Sequence, residues 1–384
     1  MKMDIKLLIT VVICSVIVST ALHFFLYAEP KRYPVIQNSP SPTTVSTNAL
    51  PEITTPTLPS SELPITSVKS SPLHEITSLD EVFTPQIDSD PEDSRITLMA
   101  TGDVLLARSI NYKMRQLNDF SWPFLQIAPL LQSADITYIN LETPLVQDCP
   151  SKIDGMIFCG DQRGVESLEY AGIDVVNIAN NHAANYGLNG VTETDAVLKT
   201  HNFVVSGKSG SNVGYKTVKG TRFAFLGYNE VNQQLGISLA LDPTIQAEVR
   251  EARTQADVVV VQFHWGNEYT YNPSENQRRL ARVAIDAGAD LVIGNHPHWY
   301  QPIEFYNGKL ITYSHGNLVF DQMWSRETRE GLIGEYTFSR NKLVGVHFIP
   351  ILIENYGQPR VLEGVEKEKI LENLQEQSYL IKEM

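Results

Sequence analysis

Basic residues are in the minority in this 384-residue chain: 30 Lys and Arg against 44 Asp and Glu leave a formal net charge of −14. That balance argues against a nucleic-acid partner, which requires a basic face. Cysteine is scarcer still, with three in all. Cys14 lies in an apolar run near the amino terminus, preceded by Ile13, a poor context for lipoprotein cleavage. Only Cys149 and Cys159 remain, in a stretch with Pro150, Gly155 and Gly160. They could close a local disulfide in an oxidising compartment or stay two free thiols. The apolar run, residues 7–27, lacks the short core and small residues of a cleaved signal peptide. It follows Lys2 and Lys6 and ends in Phe24, Phe25, Leu26 and Tyr27. Its length suits an uncleaved bilayer span. Residues 1–28 are therefore expected to be a single-pass membrane anchor, with the rest of the chain outside the cell membrane, although Lys31 and Arg32 make the charge bias weak.

Residues 29–94 lack apolar periodicity and are rich in Pro, Ser and Thr, as in Ser39-Pro40-Ser41-Pro42-Thr43-Thr44. Such a segment buries too little apolar surface to fold and reads as an extended linker. The composition as a whole, 42% hydrophobic and 19% charged, suits a folded domain with a sizeable core. That domain is expected over residues 95–384.

Within it one pattern recurs: a short β-branched run ends in residues of metal-ligand type. Ile96–Ala100 leads to Asp103, Ile136–Ile139 to Asn140 and Glu142, and Val175–Ala179 to Asn180, Asn181 and His182. Val258–Phe263 leads to His264, Leu291–Gly294 to His296 and His298, and Leu310–Ser314 to His315. Such runs read as buried strands. Helical patterns lie between several of them, over residues 165–170, 190–200 and 274–287, the last opened by a Ser274–Gln277 capping box and stopped by Gly288. The alternation predicts an α/β domain with a substantially parallel sheet. Ligands in such domains bind beyond the carboxyl ends of the strands, so the six ends should converge. The tail after Gly364 reads as a surface helix.

Carboxylate oxygen and neutral imidazole nitrogen together suit a divalent cation. Asp103, Glu142, His264, His296 and His298 supply these donors, with Asn181 as an amide oxygen. In an extended loop, His296 and His298, two residues apart, would point the same way. Each residue alone has a plainer reading: a turn-forming Asp, a core His, a surface His pair. Their joint position at strand ends favours the cluster.

The segments Gly102-Asp103, Asn140-Leu141-Glu142, Ala179-Asn180-Asn181-His182, His264-Trp265-Gly266, Gly294-Asn295-His296-Pro297-His298 and Tyr313-Ser314-His315-Gly316-Asn317-Leu318-Val319-Phe320-Asp321-Gln322 resemble the capsule-synthesis protein CapA family. That is the poly-γ-glutamate capsule group of the metallophosphoesterase-like superfamily. The resemblance spans roughly residues 97–338 and implies a four-layer α/β/β/α sandwich. It also implies two divalent ions (Mn, Fe or Zn) held by Asp103, Glu142, Asn181, His264, His296 and His298, with Glu142 in the bridging place. Two such ions would activate a water for attack on phosphorus or carbonyl. His182 is then the expected proton donor, oriented by Asn185. Three positions depart from the family pattern: Leu105 stands where the superfamily has His, Asn185 where the family has Asp, and His315 where it has Leu. His315 offers an extra ligand or donor. Trp265, Trp299 and Tyr300 could wall the pocket, with core packing as the alternative. Arg326 and Arg329 could neutralise an anionic substrate, with a solvated surface as theirs.

Two functions follow as expectations. One is an extracytoplasmic metal-dependent hydrolase acting on a phosphoester or an anionic envelope polymer. The other is a non-enzymatic polymer-handling component of a capsule assembly, working with other capsule-synthesis proteins. An adhesion module is the weakest reading, because it has no use for this ligand set.

Overall fold

The structure, a computed structural model, describes residues 74–83 and 95–382. The expected membrane span lies outside these residues. Among the described residues no helix is long and apolar enough to cross a membrane.

In chain order the first strands are β1 (Arg95–Val104), β2 (Ile136–Leu141), β3 (Leu145–Val146), β4 (Gly160–Asp161), β5 (Val175–Asn177) and β6 (Val204–Ser206). Next come β7 (Gly214–Val218), β8 (Thr221–Asn229), β9 (Val258–His264), β10 (Leu291–Asn295), β11 (Ile303–Tyr306) and β12 (Lys309–Thr312). The last are β13 (Asn317–Val319), β14 (Glu330–Ser339), β15 (Lys342–Glu354) and β16 (Gln358–Val361). The helices are α1 (Leu79–Phe83), α2 (Arg108–Leu117), α3 (Ala128–Leu131), α4 (Gly164–Ala171), α5 (Gly187–Thr200), α6 (Asp242–Gln255), α7 (Glu275–Ala287) and α8 (Gly364–Lys382).

Two sheets form. One runs β16-β15-β14-β1-β2-β5-β6, with β13 also paired to β1; the other runs β11-β12-β10-β9-β8-β7. The strands β1, β2, β5 and β6 are mutually parallel, as are β8, β9, β10 and β12. Side chains alternate across a strand, and this sequence makes both faces apolar. Leu98, Ala100, Tyr138, Val258, Val260, Leu291 and Ile293 enter the core between the sheets. Their chain neighbours Met99 and Ile139 face outward onto Ile110, Met114, Leu168 and Val191, from α2, α4 and α5. Val259, Val261 and Val292 face outward onto Ile245, Val249, Leu280 and Ala284, from α6 and α7. The layers are therefore helix, sheet, sheet, helix. The capping box of α7 forms as read, with Ser274 Oγ accepting from Gln277 N at 3.2 Å. Cys149 and Cys159 form a disulfide.

Two expectations need correction. The linker was drawn too long, because Ile76 and Leu79 are buried in the core between the sheets. The Ile76 N–H donates to Leu343 O at 2.8 Å. Glu75 meets Lys309 at 3.1 Å and Lys342 at 2.9 Å. Val82 and Phe83 pack against the same core, and the shortness of this apolar pattern within a polar stretch hid the strap. The tail helix α8 is likewise only half a surface element, since Ile370, Leu374, Ser378 and Ile381 are buried.

If the strap contributes as its burial indicates, Ile76→Ala should lower unfolding stability by about 2–4 kcal/mol in denaturant titration. A true linker position would give no change. Glu75 adds a pH signature. Burial raises its affinity for protons, but the Lys342 and Lys309 hydrogen bonds outweigh that and hold its carboxyl below the ordinary 4.5. Its contribution is therefore complete above 4.5 and is lost as pH falls through the lowered folded value. The melting-temperature gap between wild type and Glu75→Gln should be open at pH 7 and close in acid. A gap independent of pH would contradict this assignment.

Candidate metal centre

The carboxyl ends of the parallel strands carry a row of amides and acids in register. In the first sheet Asn317 pairs with Asp103, Asp103 with Asn140, Asn140 with Asn177, and Asn177 with Ser206. In the second sheet Asn229 and Asn295 both flank His264. The turn after β12 lies close against β1: a Cβ on Gly102 would stand 2.3 Å from Gly316 O. Only glycine permits that approach.

The ligand candidates converge as the sequence implied. The donor atoms of Asp103, Glu142 and His264 lie within 4.8 Å of one another, and so do those of Glu142, His296 and His298. Glu142 belongs to both groups. All five side chains are buried. The two histidines at 296 and 298 arrive by a different backbone than expected: their φ angles are 98° and 57°, so the loop is not extended. Left-handed conformations are costly for residues with a Cβ and mark positions that surrounding structure over-determines.

Asp103 and Glu142 differ in their surroundings. Asp103 Oδ1 accepts from Asn140 Nδ2 at 2.7 Å and Oδ2 from His296 N at 3.1 Å. His298 Nδ1 lies 3.4 Å from Asp103 Oδ2 and 2.9 Å from Asn317 Oδ1. Among the described residues, neither oxygen of Glu142 finds a hydrogen-bond partner, although the side chain is fully buried. Burial and the charge of Asp103 drive its carboxyl well above the ordinary range. Burial, with other histidines nearby, pushes His264 and His296 well below the ordinary imidazole value, so both rings are neutral. At His298 burial likewise lowers the ring, but Glu142, Asp103 and the Asn317 hydrogen bond outweigh it and raise it to about 9. A buried carboxylate without partners costs several kcal/mol and persists where a cation compensates it. The donor set fits a divalent ion, with Glu142 able to serve two.

His182 stands at the margin, its Nε2 3.8 Å from Glu142 Oε1. Its Nδ1 is 2.9 Å from Asn185 Oδ1. The Phe158 backbone N–H also donates to that atom, at 2.7 Å. A backbone N–H can only donate, so the shared atom is the amide oxygen. His182 then carries its proton on Nδ1 and leaves Nε2 bare. Burial lowers the ring to about 4 against the Asn185 hydrogen bond. Asn181 Oδ1 contacts His264 Nε2 at 2.8 Å.

The expected substrate-binding residues do not join this site. Trp265 is fully buried on the helix side of the second sheet; its Nε1 donates to Tyr313 O at 2.8 Å and its ring stacks on Phe263. Strand alternation explains it, because the neighbour of an inward His264 must face outward. His315 is sealed in the core with Nε2 2.9 Å from the Tyr336 hydroxyl. Tyr300 also belongs to that core. Arg326 is occupied by Glu330 and by Glu366, and Arg329 Nε donates to Ile353 O at 3.0 Å. Trp299 alone fits the wall, alongside Tyr269, whose ring lies 6.1 Å from that of His298. Leu105 is buried in the core and offers no donor.

Sequence reading missed Arg108 and Asp321, which pair beside the site, with Ser109 N also donating to Asp321 Oδ2 at 3.3 Å. The Arg108 guanidinium lies 4.7 Å from the centroid of Phe158. Asp321 was among the motif residues, yet nothing in the linear pattern links it to a residue 213 positions away.

Adding a divalent cation to chelator-treated protein should raise its melting temperature. Saturation a hundredfold above Kd corresponds to about 2.7 kcal/mol. Glu142→Gln should abolish most of that rise, because it removes the shared oxygen charge. An equal rise in the variant would dismiss Glu142 as a ligand.

The chain matches the family model described as bacterial capsule synthesis protein PGA_cap over residues 97–322. It is 32% identical over 305 residues to the PGA biosynthesis protein CapA of Bacillus subtilis (strain 168), covering 75% of this chain and 79% of that one. The capsule biosynthesis protein CapA of Bacillus anthracis is 30% identical over 305 residues, 74% of each chain. A probable polyglutamine synthesis accessory protein of Mycobacterium tuberculosis (strain CDC 1551 / Oshkosh) is 28% identical over 267 residues, 62% of this chain and 68% of its own. A model match over more than half the chain, together with relatives of this coverage, establishes that the protein belongs to the bacterial capsule synthesis protein family that includes the CapA proteins.

Proposed function

We propose that this protein is a metal-dependent hydrolase of the metallophosphoesterase type, acting outside the cell membrane in the biosynthesis of an anionic envelope polymer such as poly-γ-glutamate. The observation that carries this reading is Glu142: it is shared by two donor groups, lacks hydrogen-bond partners, and faces the bare Nε2 of His182. Asp103, His264 and Asn181 would hold one cation with Glu142, and His296 and His298 the second. Bound divalent ions supply a water of lowered pKa and a sink for developing negative charge. His182, neutral at pH 7, accepts a proton at Nε2 and returns it to the departing oxygen or nitrogen. Asn185 fixes the tautomer by accepting from Nδ1. Arg108 lies beside the site but is paired with Asp321, so an anionic substrate would have to compete with that carboxylate for it. The apolar run at residues 7–27 would anchor the chain, and the Cys149–Cys159 bridge suits an oxidising compartment.

A non-enzymatic role in polymer handling has one feature in its favour. Leu105 and Asn185 replace groups that would strengthen catalysis, and an amide supports an imidazolium less well than a carboxylate does. His182→Ala separates the two readings. Under the hydrolase reading, the variant keeps its metal stoichiometry and loses about 10²- to 10⁴-fold in turnover of a generic phosphodiester with added Mn. Wild-type protein that binds metal but turns over neither phosphodiester nor γ-glutamyl polymer would move the assignment to polymer handling.

A further inference from the structure

Between β3 and β4 the chain leaves the sandwich as a loop, residues 147–159, closed at its base by the Cys149–Cys159 disulfide. The base is tied to α2: Arg115 Nη1 donates to Cys149 O at 2.9 Å, and Asn111 Nδ2 meets Cys149 Sγ at 3.6 Å. Further along, Arg108 Nη1 donates to Gly155 O at 3.4 Å. Ile153, Met156 and Ile157 are exposed, yet Phe158 is only 2% exposed.

Phe158 is buried against an imidazole. Its ring stacks on His182 with centroids 3.8 Å apart and planes 19° from parallel. Its N–H holds the same Asn185 oxygen that accepts from His182 Nδ1. Asn185 is the hydrogen-bond partner of the His182 ring. Ring rotation is therefore opposed at one face by Phe158 and in the plane by an amide that Phe158 itself fixes. The disulfide joins Cys159, the residue after Phe158, to the anchored end of the loop.

We propose that Phe158 is a positioning residue for His182, and that the Cys149–Cys159 bridge holds Phe158 in that place. The proposal rests on the reading that His182 moves a proton in a hydrolytic reaction, but the contact can be tested without turnover. Stacking displaces the ring-proton resonances of an imidazole upfield. In the full chain, the His182 signal, assigned by its disappearance in His182→Ala, should lie upfield. Phe158→Leu keeps apolar bulk and removes the stack, so the signal should move downfield and kcat should fall about ten- to a hundredfold with KM little changed. Phe158→Tyr should restore both. The double variant Cys149→Ser/Cys159→Ser should move the signal in the direction of Phe158→Leu.

A wild-type His182 signal at the same place in Phe158→Leu and in the double variant would overturn the proposal. So would kcat unchanged in Phe158→Leu while His182→Ala is inactive, because a merely space-filling Phe158 predicts that result. If wild type turns over nothing, the hydrolase reading fails separately. The resonance then still decides whether Phe158 positions His182.

Discussion

A buried carboxyl group that accepts no hydrogen bond is the constraint around which this molecule is arranged. Glu142 sits with both oxygens unpartnered, while its neighbour Asp103 is bound by an amide and a backbone N–H. Low dielectric makes such an isolated charge expensive. The surroundings answer with imidazoles, of which His182, His264 and His296 are neutral, rather than with donors that would occupy its lone pairs. The in-register amides serve the same end. Asn140 holds Asp103, Asn177 and Asn180 hold Asn140, and Asn317 holds His298. Each removes a rotamer from a ligand or from the residue behind it, as is usual around metal ligands.

His182 adjoins Asn181 and belongs to the same sheet's crevice as Asp103 and Glu142. His182 and Asn185 lie on the loop after β5, and their bare nitrogen faces the shared carboxylate across 3.8 Å. The tautomer follows from one backbone N–H, that of Phe158, which identifies the amide oxygen. A neutral ring with its lone pair inward is a proton acceptor first.

Much of this was legible in the linear sequence, for a physical reason. Buried parallel strands read as short β-branched runs, and side chains at their carboxyl ends must face the crevice, so Asp103, Glu142, His264, His296 and His298 were found by position alone. Residues one step out of phase, Trp265 above all, were misplaced by ignoring the alternation that located their neighbours. His315 looked like a ligand because it follows a strand, but the turn carries it between the sheets onto Tyr336. Arg326 pairs with acids on either side. Arg108 and Phe158 left no signal, and Asp321, although part of a motif segment, gave none of its pairing with Arg108, since contacts between distant segments have no sequence period. The strap at 74–83 was lost because its apolar residues, Ile76, Leu79, Val82 and Phe83, make a helical pattern little more than two turns long inside a Pro-, Ser- and Thr-rich stretch.

The carboxylates belong to one sheet and the histidines at 264, 296 and 298 to the other. The spacing between them is therefore set by the thickness of the apolar layer in which Ala100, Tyr138, Phe225 and Ile293 meet. That layer acts as a calliper. Its jaws are the strand ends, and its opening is adjusted by methylene groups far from any polar atom. Close packing transmits small volume changes instead of absorbing them. Were a cation held between these strand ends, the ionic radius that fits would be written in part into hydrocarbon.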